Sequence, residues 1–182
     1  MNEQYGHDIE DLKVGMSASF AKTITEADIV LFAGVSGDNN AVHTNEEFAS
    51  TTTFGGRIAH GFLTASVISA AVANRLPGPG TVYLGQQLRF RAPVRPGDTV
   101  QATVTVKSVD LEKARAVLET VCYVKGKVVI DGEATVMTTS SVPSTRSRQR
   151  LITSRHGPAA SRAPAWRRTR PRPCRTWGGS RH

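Results

Sequence analysis

Residues 61–76 carry Phe62, Leu63, Ala65, Val67, Ile68, Ala70, Ala71, Val72 and Ala73, so this helical candidate is apolar on nearly every face. A helix with no face to give to water must be buried, and the rest of the chain has to cover it. Pro77-Gly78-Pro79-Gly80 stops it. Beyond that block the hydrophobic period changes to two. Residues 82–91, 98–109, 113–124 and 127–138 read as four strands, separated by Pro93 with Pro96-Gly97, by Asp110 and Glu112, and by Lys125-Gly126. Val128-Val129-Ile130 is continuous rather than alternating, the pattern of a strand covered on both faces.

Ahead of the buried helix, residues 17–24 alternate well enough for a short strand. Thr25 is a good N-cap, and Asp28 stands in the acidic place of a capping box. Ile29, Leu31, Phe32 and Val35 give a helical apolar face that Gly37 ends. Residues 38–43 are polar and turn-like, and a brief helical turn is expected over 44–49. One buried helix, an antiparallel meander around it, and a strand and helix in front make an α+β domain. The pattern does not give the strand order.

The net charge of +8 misleads, because it belongs to one end. Residues 1–140 hold all fifteen acidic residues against twelve basic ones, whereas residues 141–182 hold eleven Arg, no Lys and no acid. Residues 1–140 are therefore expected to be the folded domain. The segment 141–182 lacks the apolar periodicity that offsets ordering entropy, and reads as disordered. Its composition is also what a GC-rich gene gives when read out of frame, so a frameshifted C-terminus is the favoured source. The competing reading is a basic arm for nucleic acid or anionic surfaces; nucleic acid is otherwise not an expected partner. No apolar run approaches the roughly 18 residues of a membrane span, and the N-terminus lacks the basic and apolar regions of a secretory signal. A cytoplasmic protein is expected. Cys122 and Cys174 form no disulfide framework.

Chemistry concentrates in Phe32-Ala33-Gly34-Val35-Ser36-Gly37-Asp38-Asn39-Asn40-Ala41-Val42-His43. A carboxylate and an imidazole five residues apart in a turn-forming segment can converge on one small molecule, orient a water and move its proton. The plain alternative makes Asp38 a turn residue and His43 a cap of the next helix. Elsewhere the signals are negative. No Gly-x-Ser-x-Gly surrounds Ser36, Ser66 or Ser69, and the histidines and cysteines lack metal-ligand spacing. Gly78-Pro79-Gly80 follows a helix and precedes a strand, the reverse of a phosphate loop. No cofactor and no metal are expected.

Ser-Gly-Asp-x-Asn-x-Val-His, with Phe32 upstream and Ala49 downstream, resembles the hydratase 2 motif of (R)-specific enoyl-CoA hydratases, the MaoC-like hydratase/dehydratase family. Ile58-Ala59-His60-Gly61-Phe62-Leu63, the block 77–86, Phe90-Arg91-Ala92-Pro93-Val94 and Gly97-Asp98 resemble further blocks of that family. The resemblance covers about residues 12–138. Ala41 departs from it, standing where the family usually has proline, which loosens the turn without removing a reactive group.

The resemblance implies a hot-dog fold, a sheet curled around a long helix and normally a homodimer. It implies reversible hydration of a trans-2-enoyl-CoA, with an acyl-CoA thioester as partner. Asp38 and His43 would hold the water that adds to C3 and deliver a proton to C2. Gly61 matches the oxyanion-hole glycine, its N–H lying at the start of the buried helix; its other reading is tight helix packing. Asn40, Phe62 and Ser69 are candidate substrate-binding residues, although Asn40 is better placed to brace the loop and Ser69 to touch the acyl tunnel. Arg89, Arg91 and Arg95 are candidates for the CoA phosphates or are solvated edge charges. His60 has no proton to move by motif or spacing, and reads as a capping or packing residue. The alternatives are dehydration of a carrier-bound 3-hydroxyacyl thioester, a hot-dog thioesterase, a non-catalytic thioester binder, and a nucleic-acid binder resting on the tail alone.

Overall fold

The structure is a computed structural model that describes residues 6–141. The expected disordered tail, with its frameshift or basic-arm readings, and Cys174 lie outside the described residues. A 3-10 turn at Ile9–Asp11 leads to β1 (Ser17–Thr23), α1 (Glu26–Ser36), α2 (Ala41–Thr44), α3 (Glu46–Ser50), α4 (Gly61–Asn74), β2 (Val82–Phe90), β3 (Thr99–Asp110), β4 (Arg115–Val124) and β5 (Lys127–Met137).

The capping box forms as read. The Thr25 hydroxyl accepts from the Asp28 N–H at 3.2 Å while the Asp28 carboxylate accepts from the Thr25 N–H at 2.8 Å. Those bonds, the Thr25 N–H first, then the Thr25 hydroxyl and Lys22, hold the Asp28 carboxyl down to about 2. A depressed carboxyl contributes stability above its ordinary range and loses that contribution as pH falls toward about 2. Thr25→Ala is expected to cost about 1 kcal/mol, read as a lowered midpoint in thermal melts at neutral pH. Gly37 closes α1 at φ 76°, with its N–H on the Ala33 carbonyl.

The segment 38–50 differs from expectation. Where a turn and then one helical turn over 44–49 are predicted, α2 and α3 are separate. Asn45 is the reason: it sits at φ −126°, outside helical space, and its side chain caps α3 by accepting from the Phe48 N–H. Helix α4 also ends two residues before the expected Leu76. Pro77 disfavours helical dihedrals at the residue before it, and the Arg75 and Leu76 N–H groups both turn back to the Ala71 carbonyl.

One antiparallel sheet, in the order β1-β3-β4-β5-β2, wraps α4. Leu63, Val67, Ile68, Ala71 and Val72 meet the alternating inward residues Val100, Ala102, Val104 and Val106 of β3 and Leu118 and Cys122 of β4. Each such large side chain contributes about 1.5–3 kcal/mol on burial. The four later strands are not the simple meander expected. β2 pairs with β5, and residues 91–98 carry the chain across the sheet so that β3 lies beside β1. Pro93 and Pro96 suit this crossing, since neither offers an N–H for a tight hairpin.

The continuous run Val128-Val129-Ile130 also has another cause. The β4–β5 register skips between Cys122/Ile130 and Tyr123/Val128, leaving Val129 as a bulge. Val129 and Ile130 are both buried while Val128 is exposed, so consecutive burial comes from a bulge and not from cover on both faces.

Helix α4, expected to be buried all round, is buried along one stripe. Its other face, including Phe62, Ser66 and Ser69, is exposed on the single chain.

Candidate active site

The site forms where α1 ends. Gly37 turns the chain, the Ser36 hydroxyl bonds back to the Phe32 carbonyl and accepts from the Asp38 N–H, and Asp38 Oδ1 accepts from the Asn40 N–H at 3.3 Å. Asn40 caps α2 by accepting from the Val42 N–H. The structure thus gives Asn40 the bracing place, and Asn40 is not among the residues lining either of the two cavities described below.

His43 lies on α2 and is buried, whereas the Asp38 side chain remains about half exposed. The His43 N–H reaches the Asn40 carbonyl, and its Nδ1 lies 2.8 Å from the Ile58 carbonyl. A carbonyl accepts only from a protonated nitrogen, so Nδ1 carries the hydrogen and the lone pair of the neutral ring is on Nε2. That nitrogen is 4.0 Å from Asp38 Oδ2. The pair read from the sequence therefore converges, with the imidazole tautomer fixed by a backbone group.

Arg57 anchors this segment. Its Nη atoms donate to Glu26 of α1 at 2.8 and 2.9 Å, and its Nε donates to Glu46 of α3 at 3.1 Å. The Glu26 carboxylate, then Glu46, raises the guanidinium above its ordinary value. Nothing in the sequence pattern marks Arg57 as a clamp, because its two partners lie in other elements.

His43 and Gly61 line one cavity of about 280 Å³, with Thr64, Phe90, Arg91 and Ile130. Gly61 is the first residue of α4, so its N–H is a donor that no helical turn satisfies. The packing reading of Gly61 has a contact behind it, since a Cβ there would stand 2.8 Å from the Phe90 ring. Phe62 and Ser69 line a second cavity of about 500 Å³ with Tyr83, Gln86 and Leu88. Phe90 belongs to both cavities and meets Phe62 edge-on at 5.8 Å. Burial pushes the Tyr83 phenol up to about 12, and its hydroxyl donates to Gln86.

Arg91 borders the first cavity but is held by Asp131 at 2.8 Å. Arg95 bonds the Phe54 carbonyl.

Asp38, His43 and His60 offer ligand atoms within 4.8 Å of one another. The two imidazole centroids lie 3.9 Å apart with the planes tilted by 33°, and His60 Nε2 donates to the Asp38 carbonyl at 2.9 Å. His60 packs as read, but its side chain makes no cap bond to α4.

The sequence profile described as MaoC like domain matches residues 11–132. The chain belongs to this family. A MaoC-like relative, the "(R)-specific enoyl-CoA hydratase" of Rhodospirillum rubrum, is 60% identical over 131 residues, covering 72% of this chain and 91% of that protein. The "3-hydroxybutyryl-CoA dehydratase" of Methylorubrum extorquens is 51% identical over 127 residues, 70% of this chain and 81% of that protein. Among solved structures, the unliganded R-hydratase of Pseudomonas aeruginosa superposes with a TM-score of 0.70 at 45% identity, covering 75% of this chain and 88% of that one. The architecture is the hot-dog fold of these MaoC-like proteins, as the resemblance implied.

Proposed function

We propose that this MaoC-like chain is an (R)-specific enoyl-CoA hydratase that adds water reversibly to trans-2-enoyl-CoA. The observation that carries the reading is the His43 lone pair facing the Asp38 carboxylate at 4.0 Å, on a cavity that Gly61 also lines. That separation is too long for a direct hydrogen bond and fits one water bonded to both groups. The water oxygen bonds to C3 as its proton passes to the pair, and charge moves to the thioester oxygen. The Gly61 N–H, at the positive end of α4, is aimed at that charge, a contribution of about 2.7–4 kcal/mol in comparable oxyanion holes. The pair returns a proton to C2, which completes the addition without any change in oxidation state requiring a cofactor. Phe62 and Ser69 border the space for the acyl chain, and Arg91 borders the entry for the CoA end. The names of the relatives support both directions, hydration and dehydration. A cytoplasmic enzyme, where acyl-CoA thioesters are available, fits the same reading.

The test is absorbance near the enoyl-thioester band with crotonyl-CoA, followed by stereochemical typing of the product with an (R)-specific dehydrogenase. Decay yielding the (R)-alcohol is expected. No decay with crotonyl-CoA or longer enoyl-CoAs, from folded protein, sinks the reading. We assign the activity to residues 1–140, because the family match ends at residue 132. Removing 141–182 should leave specific activity intact, and loss of the fold on truncation would defeat that assignment.

A homodimer belongs to the same reading. β2 is an edge strand of nine residues with no buried position; its Leu84 and Phe90 stand exposed, as does Phe62 of α4. A long apolar edge invites a partner, and a second copy pairing β2 against β2 would cover both it and the open face of α4. Light scattering should return about twice the 19.6 kDa chain mass; a monomer at micromolar concentration would refute it.

A further inference from the structure

His60 is the buried group that the acid–base reading leaves without a role. It is 1% exposed and stands at the N-cap of α4, yet its side chain turns away from the helix it precedes. Its Nε2 lies 2.9 Å from the Asp38 carbonyl, so Nε2 carries the hydrogen and donates. Nδ1 is then a lone pair, and it is buried without a partner. Leaving a buried nitrogen unmatched costs stability, which a residue serving only to fill space would not require. An apolar ring of similar size would pack there without that cost.

The ring also lies against His43, with centroids 3.9 Å apart and planes tilted by 33°, and against Phe32 of α1 at 5.0 Å. The groups facing His60 are thus Asp38 through its carbonyl, His43 through its ring, and Phe32. The other bonds of Asp38, from its own N–H to the Ser36 hydroxyl and from the Asn40 N–H to its carboxylate, stay within its own turn. The bond from His60 ties that turn to the start of α4, the same helix end that presents the Gly61 N–H. The Ile58 carbonyl holds one edge of the His43 ring, and the face of His60 limits its tilt.

We infer that His60 is the positioning residue of the pair, its Nε2–H fixing Asp38 and its ring face fixing His43 relative to the first turn of α4. The inference rests on the proposed acid–base roles of Asp38 and His43. Small displacements of reacting groups cost rate far more than binding, so the expected signature is a loss in kcat with KM preserved.

The test compares His60→Phe and His60→Gln in the full chain, with crotonyl-CoA. Phe keeps a flat ring and loses the donor; Gln keeps an N–H that reaches the position of Nε2. His60→Phe should lower kcat by about tenfold or more with KM within about threefold, and Gln should recover kcat to within about threefold of wild type. Wild-type kcat in the Phe protein, or a Gln protein as slow as Phe, overturns the inference. If the Phe protein lacks a cooperative melt, long-range ¹⁵N–¹H imidazole spectra of the wild type decide it. A His60 protonated on Nε2 with a lone pair on Nδ1 supports the tether, and the opposite tautomer removes it. Those spectra remain decisive if the wild type hydrates no enoyl-CoA, an outcome that defeats the proposed reaction separately.

Discussion

Asp38→Asn and His43→Gln are each expected to lower kcat for crotonyl-CoA hydration by about 10²-fold or more, the scale of a positioned acid–base group. Asp38→Asn is the cleaner variant. The side chain is half exposed and its fold-bearing bonds run through the local turn, so the amide preserves shape and removes the negative acceptor. Its melting midpoint should stay near wild type. His43→Gln also forfeits the Nδ1–H bond to the part-buried Ile58 carbonyl, so a stability loss of about 1 kcal/mol accompanies the rate loss. Groups that act as one unit lose their effect together. The double variant should therefore be scarcely slower than the worse single one. Full activity in Asp38→Asn, or losses that multiply in the double variant, would count against a shared water.

Gly132→Ala gives the largest expected effect on the fold. A Cβ at Gly132 would stand 1.9 Å from the backbone oxygen of Gln87, and a backbone atom held in a strand pair cannot swing aside as a side chain can. The bare face of Gly132 is what the Gln86 amide crosses, donating to the Gln87 carbonyl at 2.8 Å and to the buried Thr120 hydroxyl at 3.1 Å. Alanine forces β2 away from β5 and breaks that bridge, at a cost of about 3 kcal/mol or more. This is a large share of the roughly 5–15 kcal/mol that holds a domain folded. The melting midpoint should fall by about 10 °C, and activity should fall with it, because β2 supplies Leu88 and Phe90 to the two cavities. An unchanged midpoint would show that the two strands do not lie in this register.

Gly132 also shows how sequence signals differ in reach. An isolated glycine inside a strand pattern marks a bulge or a close backbone approach, so a signal was present at that position. Which chain approached it was not, because β2 joins β5 only through a crossing at 91–98. Val129 is a similar case. Its burial beside Ile130 reads from the sequence as cover on both faces, and the β4–β5 register alone reveals a bulge. His60 and Arg57 are harder still. His60 reads as packing, and Arg57 carries no periodic or motif signal. The positions of both are explained by partners in elements remote from their own.

The sequence by itself determined what depends on neighbours along the chain. The capping box at Thr25 and Asp28, the glycine stop at Gly37, the five strands, the apolar helix and the Asp38–His43 segment all follow from period and local hydrogen bonding, which act over a few residues. The family resemblance supplied the hot-dog fold from ordered blocks. Tertiary structure alone decided the strand order, the bulge, the open face of α4, the Ile58 carbonyl that sets the His43 tautomer, and the His60 contact with Asp38. Each of these depends on which distant backbone group comes within about 3 Å, the range over which a hydrogen bond discriminates. No periodicity along one chain records that distance.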